Sequence, residues 1–174
     1  MTTAPEVIDD AAAPDARTDW ELIVDGVMGG RSTGTLRREP VAGRPAVHLQ
    51  GEVSLENNGG FVQMALDLRP DGGVVDAGAW HGLALDVRGN DEIYNLHLRT
   101  ADVVRPWQSY RRSFRATPVW TTVHLAFTEF TPHRLDAPLD VRRLRRVGVV
   151  AIGRAFTADV AVAGLRFYAR PDRG

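Results

Sequence analysis

Three groupings in this 174-residue sequence carry side chains able to do chemistry. The first, Gly30-Arg31-Ser32-Thr33-Gly34, has the spacing of a serine-hydrolase nucleophile elbow, and Asp and His residues follow later in the chain. An elbow needs a long helix directly after its serine, yet Thr35-Leu36-Arg37-Arg38-Glu39 runs into Pro40 and no strand-helix alternation surrounds it. Ser32 is therefore not expected to be a nucleophile, and no other acid-base or nucleophilic machinery is visible, so the chain reads as non-enzymatic. The second grouping is five histidines, His48, His81, His97, His124 and His133, none in H-x-H or H-E-x-x-H spacing. Without cysteine there is no thiolate ligand or disulfide either, so no metal or cofactor is expected.

The third grouping is Arg105-Pro106-Trp107-Gln108-Ser109-Tyr110-Arg111-Arg112-Ser113-Phe114. Trp, Gln, Tyr and Arg together supply flat apolar surface and directional hydrogen bonds, the mixture found on sugar platforms and at protein-interface hot spots. The alternative is that Tyr110 and Phe114 belong to the core, Trp107 covers an edge and the arginines are solvated.

The elements that must position these residues are strands. Short alternating runs separated by Gly, Pro, Asn and Asp predict strands at 21–24, 46–52, 60–67, 82–88, 93–100, 108–115, 121–126, 147–152 and 160–168, hence an all-β, two-sheet antiparallel sandwich. In 93–100, alternation sends Tyr94, Leu96 and Leu98 inward and Asn95, His97 and Arg99 outward. Strands 82–88 and 121–126 repeat the pattern, which suggests one polar face shared by Asn95, His97, Arg99, Trp107, Gln108, Tyr110, Arg112 and His124. Val141 to Arg146 is the one helical turn expected, with Asp140 as its N-cap and its arginines solvated.

Hydrophobic residues make up 44% and charged residues 25% of the chain, and no apolar run approaches the roughly 20 residues of a membrane span. The formal net charge of −1 gives no overall attraction to nucleic acid. Residues 1–18 are acidic and rich in Ala, Asp, Pro and Thr, with neither signal- nor transit-peptide character; they are expected to be a disordered extension of a cytoplasmic protein. A single sandwich over 19–169 and a tail at 170–174 complete the expected organisation.

Four ordered blocks carry a family resemblance. Trp20 followed by Asp25-Gly26-Val27-Met28-Gly29-Gly30-Arg31-Ser32 resembles the D-x-V-M-G-G-x-S signature of complex I intermediate-associated proteins. Gly51-Glu52-Val53-Ser54-Leu55 with Asn58-Gly59-Gly60-Phe61, then Tyr94 to Arg99, then Trp120 to Phe130 with Pro132, resemble three further blocks, Ala126 standing where the family usually has proline. Asp25, Met28, Gly29, Gly30, Ser32, Gly59, Gly60 and Phe61 make up the signature loop. The resemblance implies a galactose-binding-like jelly roll and a non-catalytic assembly factor for NADH:ubiquinone oxidoreductase that works by binding a protein. A jelly-roll carbohydrate-binding module is the alternative.

Overall fold

The structure, a computed structural model, describes residues 2–58 and 60–170. Fourteen strands form two stacked sheets. The larger, eight-stranded sheet runs β1 (Thr2–Thr3), β7 (Val75–Asp76), β13 (Leu144–Ile152), β9 (Glu92–Thr100), β10 (Ser109–Ala116), β12 (Thr131–His133), with β6 (Phe61–Asp67) on the other reach of β13 and β3 (Glu21–Val24) beside β6. The smaller, six-stranded sheet runs β11 (Thr121–Ala126), β8 (Gly82–Gly89), β14 (Phe156–Tyr168), β5 (Arg44–Val53), β4 (Thr33–Val41), with β2 (Val7–Asp10) on the far part of β14. Every pairing is antiparallel except the short β1–β7 pair.

The period-2 rule explains the stack. Leu83, Leu85 and Val87 from β8 and Leu49, Val160 and Leu165 from β5 and β14 meet Val62, Met64, Leu66, Tyr94, Leu96, Leu98, Val147 and Val149 from the larger sheet, all essentially excluded from solvent. Each such large side chain contributes about 1.5–3 kcal/mol on burial. Tyr94 also bridges the sheets: its hydroxyl donates to Asn90 Oδ1 at 2.6 Å and accepts from the Asp159 N–H of β14 at 2.8 Å. Burial pushes the phenol up to about 12, so it stays protonated and keeps its donor.

Several strands escape the sequence pattern. β4 and β5 form a hairpin through Ala42 and Gly43, at φ 46 and 83, the left-handed pair of a type I′ turn. Ala-Gly is a weaker turn signal than Asn-Gly, and the exposed arginines of 33–41 hide the alternation. The expected helical turn at 141–146 is cut to a 3-10 turn at Val141–Arg143, capped by Asp140 Oδ1 accepting from the Arg142 N–H at 3.1 Å. Leu144 already belongs to β13, because it pairs with both Thr100 and Val75 and is fully buried. Ala126 donates its N–H to Glu129 Oε1 at 2.8 Å, a bond that the family's usual proline cannot make.

Of residues 1–18, expected as a disordered extension, residues 2–18 strap one end of the sandwich, with β1 in one sheet and β2 in the other. Ala4 and Ile8 enter the core, and the indole N–H of Trp80 donates to the Ala4 carbonyl at 3.2 Å. Asp9 is buried and accepts from the Trp20 indole at 2.9 Å and the Arg17 N–H at 2.8 Å. Polar composition concealed these contacts because only two small apolar groups do the packing. Deleting residues 1–10 is expected to cost about 3 kcal/mol in urea unfolding; an unchanged midpoint would show the strap to be a free extension after all.

Candidate functional site

The signature loop is built around one carboxylate. Asp25 opens the 3-10 turn Asp25–Met28 and is buried. It accepts four hydrogen bonds, from the Ser32 N–H at 2.9 Å, the Ser32 hydroxyl at 2.5 Å, the Gly60 N–H at 2.6 Å and the Phe61 N–H at 3.3 Å. Ser32 Oγ in turn accepts from the Ser54 N–H at 2.9 Å. Burial alone would push the Asp25 carboxyl up, but the Ser32 hydroxyl and the Gly60, Ser32 and Phe61 N–H groups outweigh it and hold it below the ordinary carboxylate range. Gly29 sits at φ 86 to end the turn, and Gly30 is fixed by space: a Cβ there would lie 2.4 Å from the Asp25 carboxyl carbon. Met28 ends the turn, Gly59 lies outside the described residues, and Phe61 begins β6. Ser32 has a carboxylate and main chain for partners, with no imidazole among them, the geometry of a structural tie.

The expected common polar face divides in two. Asn95, His97 and Arg99 of β9 do lie on the outer face of the larger sheet, but His124 of β11 belongs to the smaller sheet, where it stands edge-on to Tyr168 at 4.8 Å. Alternation within a strand tells inside from outside, not which of two outsides. Tyr110 pairs with Leu98 and points into the core, its hydroxyl donating to the Ala137 carbonyl at 2.6 Å. Arg112 pairs with Leu96, takes the same inward phase at the sandwich edge and binds Glu129 Oε2 at 3.0 Å. The residue that faces outward is Arg111, which sequence reasoning missed. Its signal was present, since Tyr110 and Phe114 as core residues put 112 on the inner phase and 111 on the outer.

Across this outer face one register row reads Ala65, Gly148, His97, Arg111, Thr131. Gly148 leaves room for the Gln63 amide to lie on the strand; a Cβ there would come within 2.2 Å of its Oε1. His97 is only 9% exposed, and its Nε2 is enclosed with no hydrogen-bond partner among the described residues. Burial first, then the charges of Arg111, His133 and Arg99, push it down to about 3, so the imidazole is neutral.

At one end of this face the loop 101–108 between β9 and β10 is held from below. Arg99 Nη1 donates to the carbonyls of Gln108 at 3.0 Å, Arg105 at 3.3 Å and Pro106 at 3.4 Å. Gln108 Oε1 accepts from the Arg105 N–H at 3.1 Å, and its amide donates to the Arg134 carbonyl at 3.0 Å. Outward this frame presents two large apolar groups, Val104 at 75% and Trp107 at 53% exposed, with the exposed Arg105 guanidinium 5.9 Å from the Trp107 ring centre. Arg99, Trp107 and Gln108 do come together, the first and third as supports and Trp107 as the displayed group.

The outer face of the smaller sheet carries a shallow cleft of about 410 Å³ bordered by Thr33, Thr35, Gln50, Glu52, Thr157 and Asp159. Its groups already bond one another: the Thr157 hydroxyl donates to Glu52 at 2.8 Å, and His48 Nε2 meets Asp159 Oδ1 at 2.6 Å. Among the described residues no cluster of three or more His, Asp or Glu side chains is placed to hold a metal ion, and no helix is long and apolar enough to cross a membrane.

This two-sheet arrangement is a jelly-roll sandwich of the kind seen in carbohydrate-binding modules. It is similar to the family 11 module of the cellulosomal cellulase Lic26A-Cel5E of Clostridium thermocellum, at TM-score 0.75 and 12% identity over 100% of both chains. A family 11 module from the same organism, in complex with a β-1,3-1,4-mixed-linked tetrasaccharide, matches at TM-score 0.72 and 13% identity over 99% of this chain and 100% of that one. The family 30 module of Cel9D-Cel44B, also from Clostridium thermocellum, matches at 0.60 and 14% over 98% and 96%. The sequence itself places the chain elsewhere: it belongs to the family Complex I intermediate-associated protein 30 (CIA30), whose model matches residues 10–160. No curated protein matches it.

Asp25→Asn would replace one accepting oxygen by an amide donor that faces the N–H and O–H donors around it, and is expected to cost about 2–4 kcal/mol in urea unfolding; a loss within error would remove the loop's central contact from the account. His97 gives a separate pH signature. Its folded pKa lies below the ordinary value, so its contribution is complete above about pH 6.5 and is lost as pH falls towards about 3, by up to about 1.4 kcal/mol per unit. Between about pH 7.5 and 5, wild type should therefore lose about 1–2 kcal/mol more stability than His97→Gln. Parallel pH profiles for the two proteins would contradict a buried neutral imidazole.

Proposed function

We propose that the chain is a non-catalytic protein-binding domain that acts in assembly of a respiratory complex of the NADH:ubiquinone oxidoreductase type. The observation that carries this reading is the loop 101–108, where Val104 and Trp107 stand in solvent on a backbone clamped by Arg99 and Gln108. Exposed aliphatic and aromatic groups on a pre-ordered loop lose little entropy on docking, and a buried tryptophan is a frequent hot spot. Family membership supports the choice of partner, since intermediates of complex I are what the family name associates with it. The Ser32 environment supports the absence of turnover: its hydroxyl serves Asp25 and the Ser54 backbone.

A carbohydrate-binding role is the second reading, favoured by the fold and by the hydroxyl- and carboxylate-bordered cleft. It ranks lower because Tyr94 and Tyr110 are in the core and the outer register rows through His97 carry no flat ring of Tyr or Trp for a sugar to stack on.

The test is photo-crosslinking from p-benzoylphenylalanine at position 104 in the protein's own cells. Recovery of NADH:ubiquinone oxidoreductase subunits, reduced about tenfold or more by Trp107→Ala with no change in Tm, is the expected result. Recovery of no such subunit, or recovery indifferent to Trp107→Ala, refutes it. Retardation of the protein in gels containing mixed-linkage β-glucan would move the assignment to the second reading.

A further inference from the structure

We propose that Arg111 is the receptor for a carboxylate on an acidic segment of the protein partner, an inference that rests on the protein-binding reading above. Arg111 is half-buried on the larger sheet's outer face, on β10 beside the edge strand β12, and among the described residues its one side-chain hydrogen bond runs from Nε to Ser109 Oγ at 2.9 Å. No carboxylate lies within ion-pairing distance of it among the described residues. Neighbouring arginines are satisfied differently: Arg146 by Asp67 at 2.7 Å and Glu21 at 3.4 Å, Arg112 by Glu129, Arg143 by Asp102, and Arg99 by three carbonyls.

Arg134 adds to the positive potential, its charge and that of Arg111 both reaching His133, while the neutral His97 lies directly across the ladder with an enclosed nitrogen that has no partner among the described residues. A half-desolvated cation with no counter-charge is costly, and the cost is recovered when a ligand anion completes the pair. Guanidinium offers two parallel N–H donors, the match for a carboxylate, and Asn95 and Ser113 in the next register row add neutral polar groups beside it. The strand that carries Arg111 comes directly from the Trp107 loop, four residues earlier, or about 13 Å along an extended chain. An extended partner segment with an apolar residue and an acidic residue about that far apart reaches both.

The experiment is a ¹⁵N-HSQC titration of the full chain with a hexaglutamate peptide at low ionic strength, with hexaglutamine and inorganic phosphate as comparison probes. Saturable shifts centred on Asn95, His97, Arg111 and Ser113, with affinity reduced about tenfold or more in Arg111→Gln and unchanged in Arg115→Gln, are expected. Absence of saturation, equal binding of hexaglutamine, equal binding by Arg111→Gln, or tighter binding of inorganic phosphate would each overturn the proposal. Its failure is distinguishable from that of the function above. Hexaglutamate binding without any crosslinked oxidoreductase subunit leaves the carboxylate site and removes the assembly reading; the reverse result leaves assembly and removes the site.

Discussion

Two successive crossings between the sheets depend on the Asp25 carboxylate. The chain leaves the larger sheet after β3 and joins the smaller one at β4 through residues 25–32; it returns after β5 to β6 through residues 54–60. These two passages run side by side at one end of the sandwich, and among the described residues each has only one short 3-10 turn, Asp25–Met28 and Glu56–Asn58, to satisfy its backbone. Asp25 takes the donors of both, Ser32 on the outgoing passage and Gly60 and Phe61 on the returning one, while Ser32 Oγ joins the two by accepting from Ser54. The β3–β6 register in one sheet and the β4–β5 register in the other are thereby set from a single point. A one-residue slip in either pair would turn Met64 or Leu49 out of the core.

That constraint gives the loop richest in suggestive motifs a structural task. Gly30 and Ser32, which imitate an elbow, are required by the carboxylate: one by its lack of a Cβ, the other by its hydroxyl and N–H. In this chain Asp25, Gly30 and Ser32 of the signature loop thus tie the fold, and the outer faces and the loop 101–108 are where the fold leaves freedom.

How much was legible follows from the same physics. Strand positions and the inward set Tyr94, Leu96 and Leu98 were readable, since alternation is a local property of one strand. The sheet to which a strand belongs is a long-range property, so His97 and His124 had the same phase and opposite locations. Phase in β10 was also readable from Tyr110 and Phe114, but a preference for Arg112 as a binding group hid the outward Arg111. The N-terminal strap and the hub role of Asp25 depend on contacts to Trp80 and Gly60 far along the chain, which no short window of sequence contains.

The separation of tasks has a consequence for how this fold diverges. Inward residues and the Asp25 tie fix the frame, so changes at Trp107, Val104 or Arg111 leave the sandwich packing unaltered. Arg99 is the exception, because it faces outward and yet holds three carbonyls of the displayed loop. It transmits the rigidity of the sheet to a segment without secondary structure of its own. A jelly roll can accordingly change one loop and one outer row while its frame is kept, which is why the similarity at 12% identity is one of fold alone.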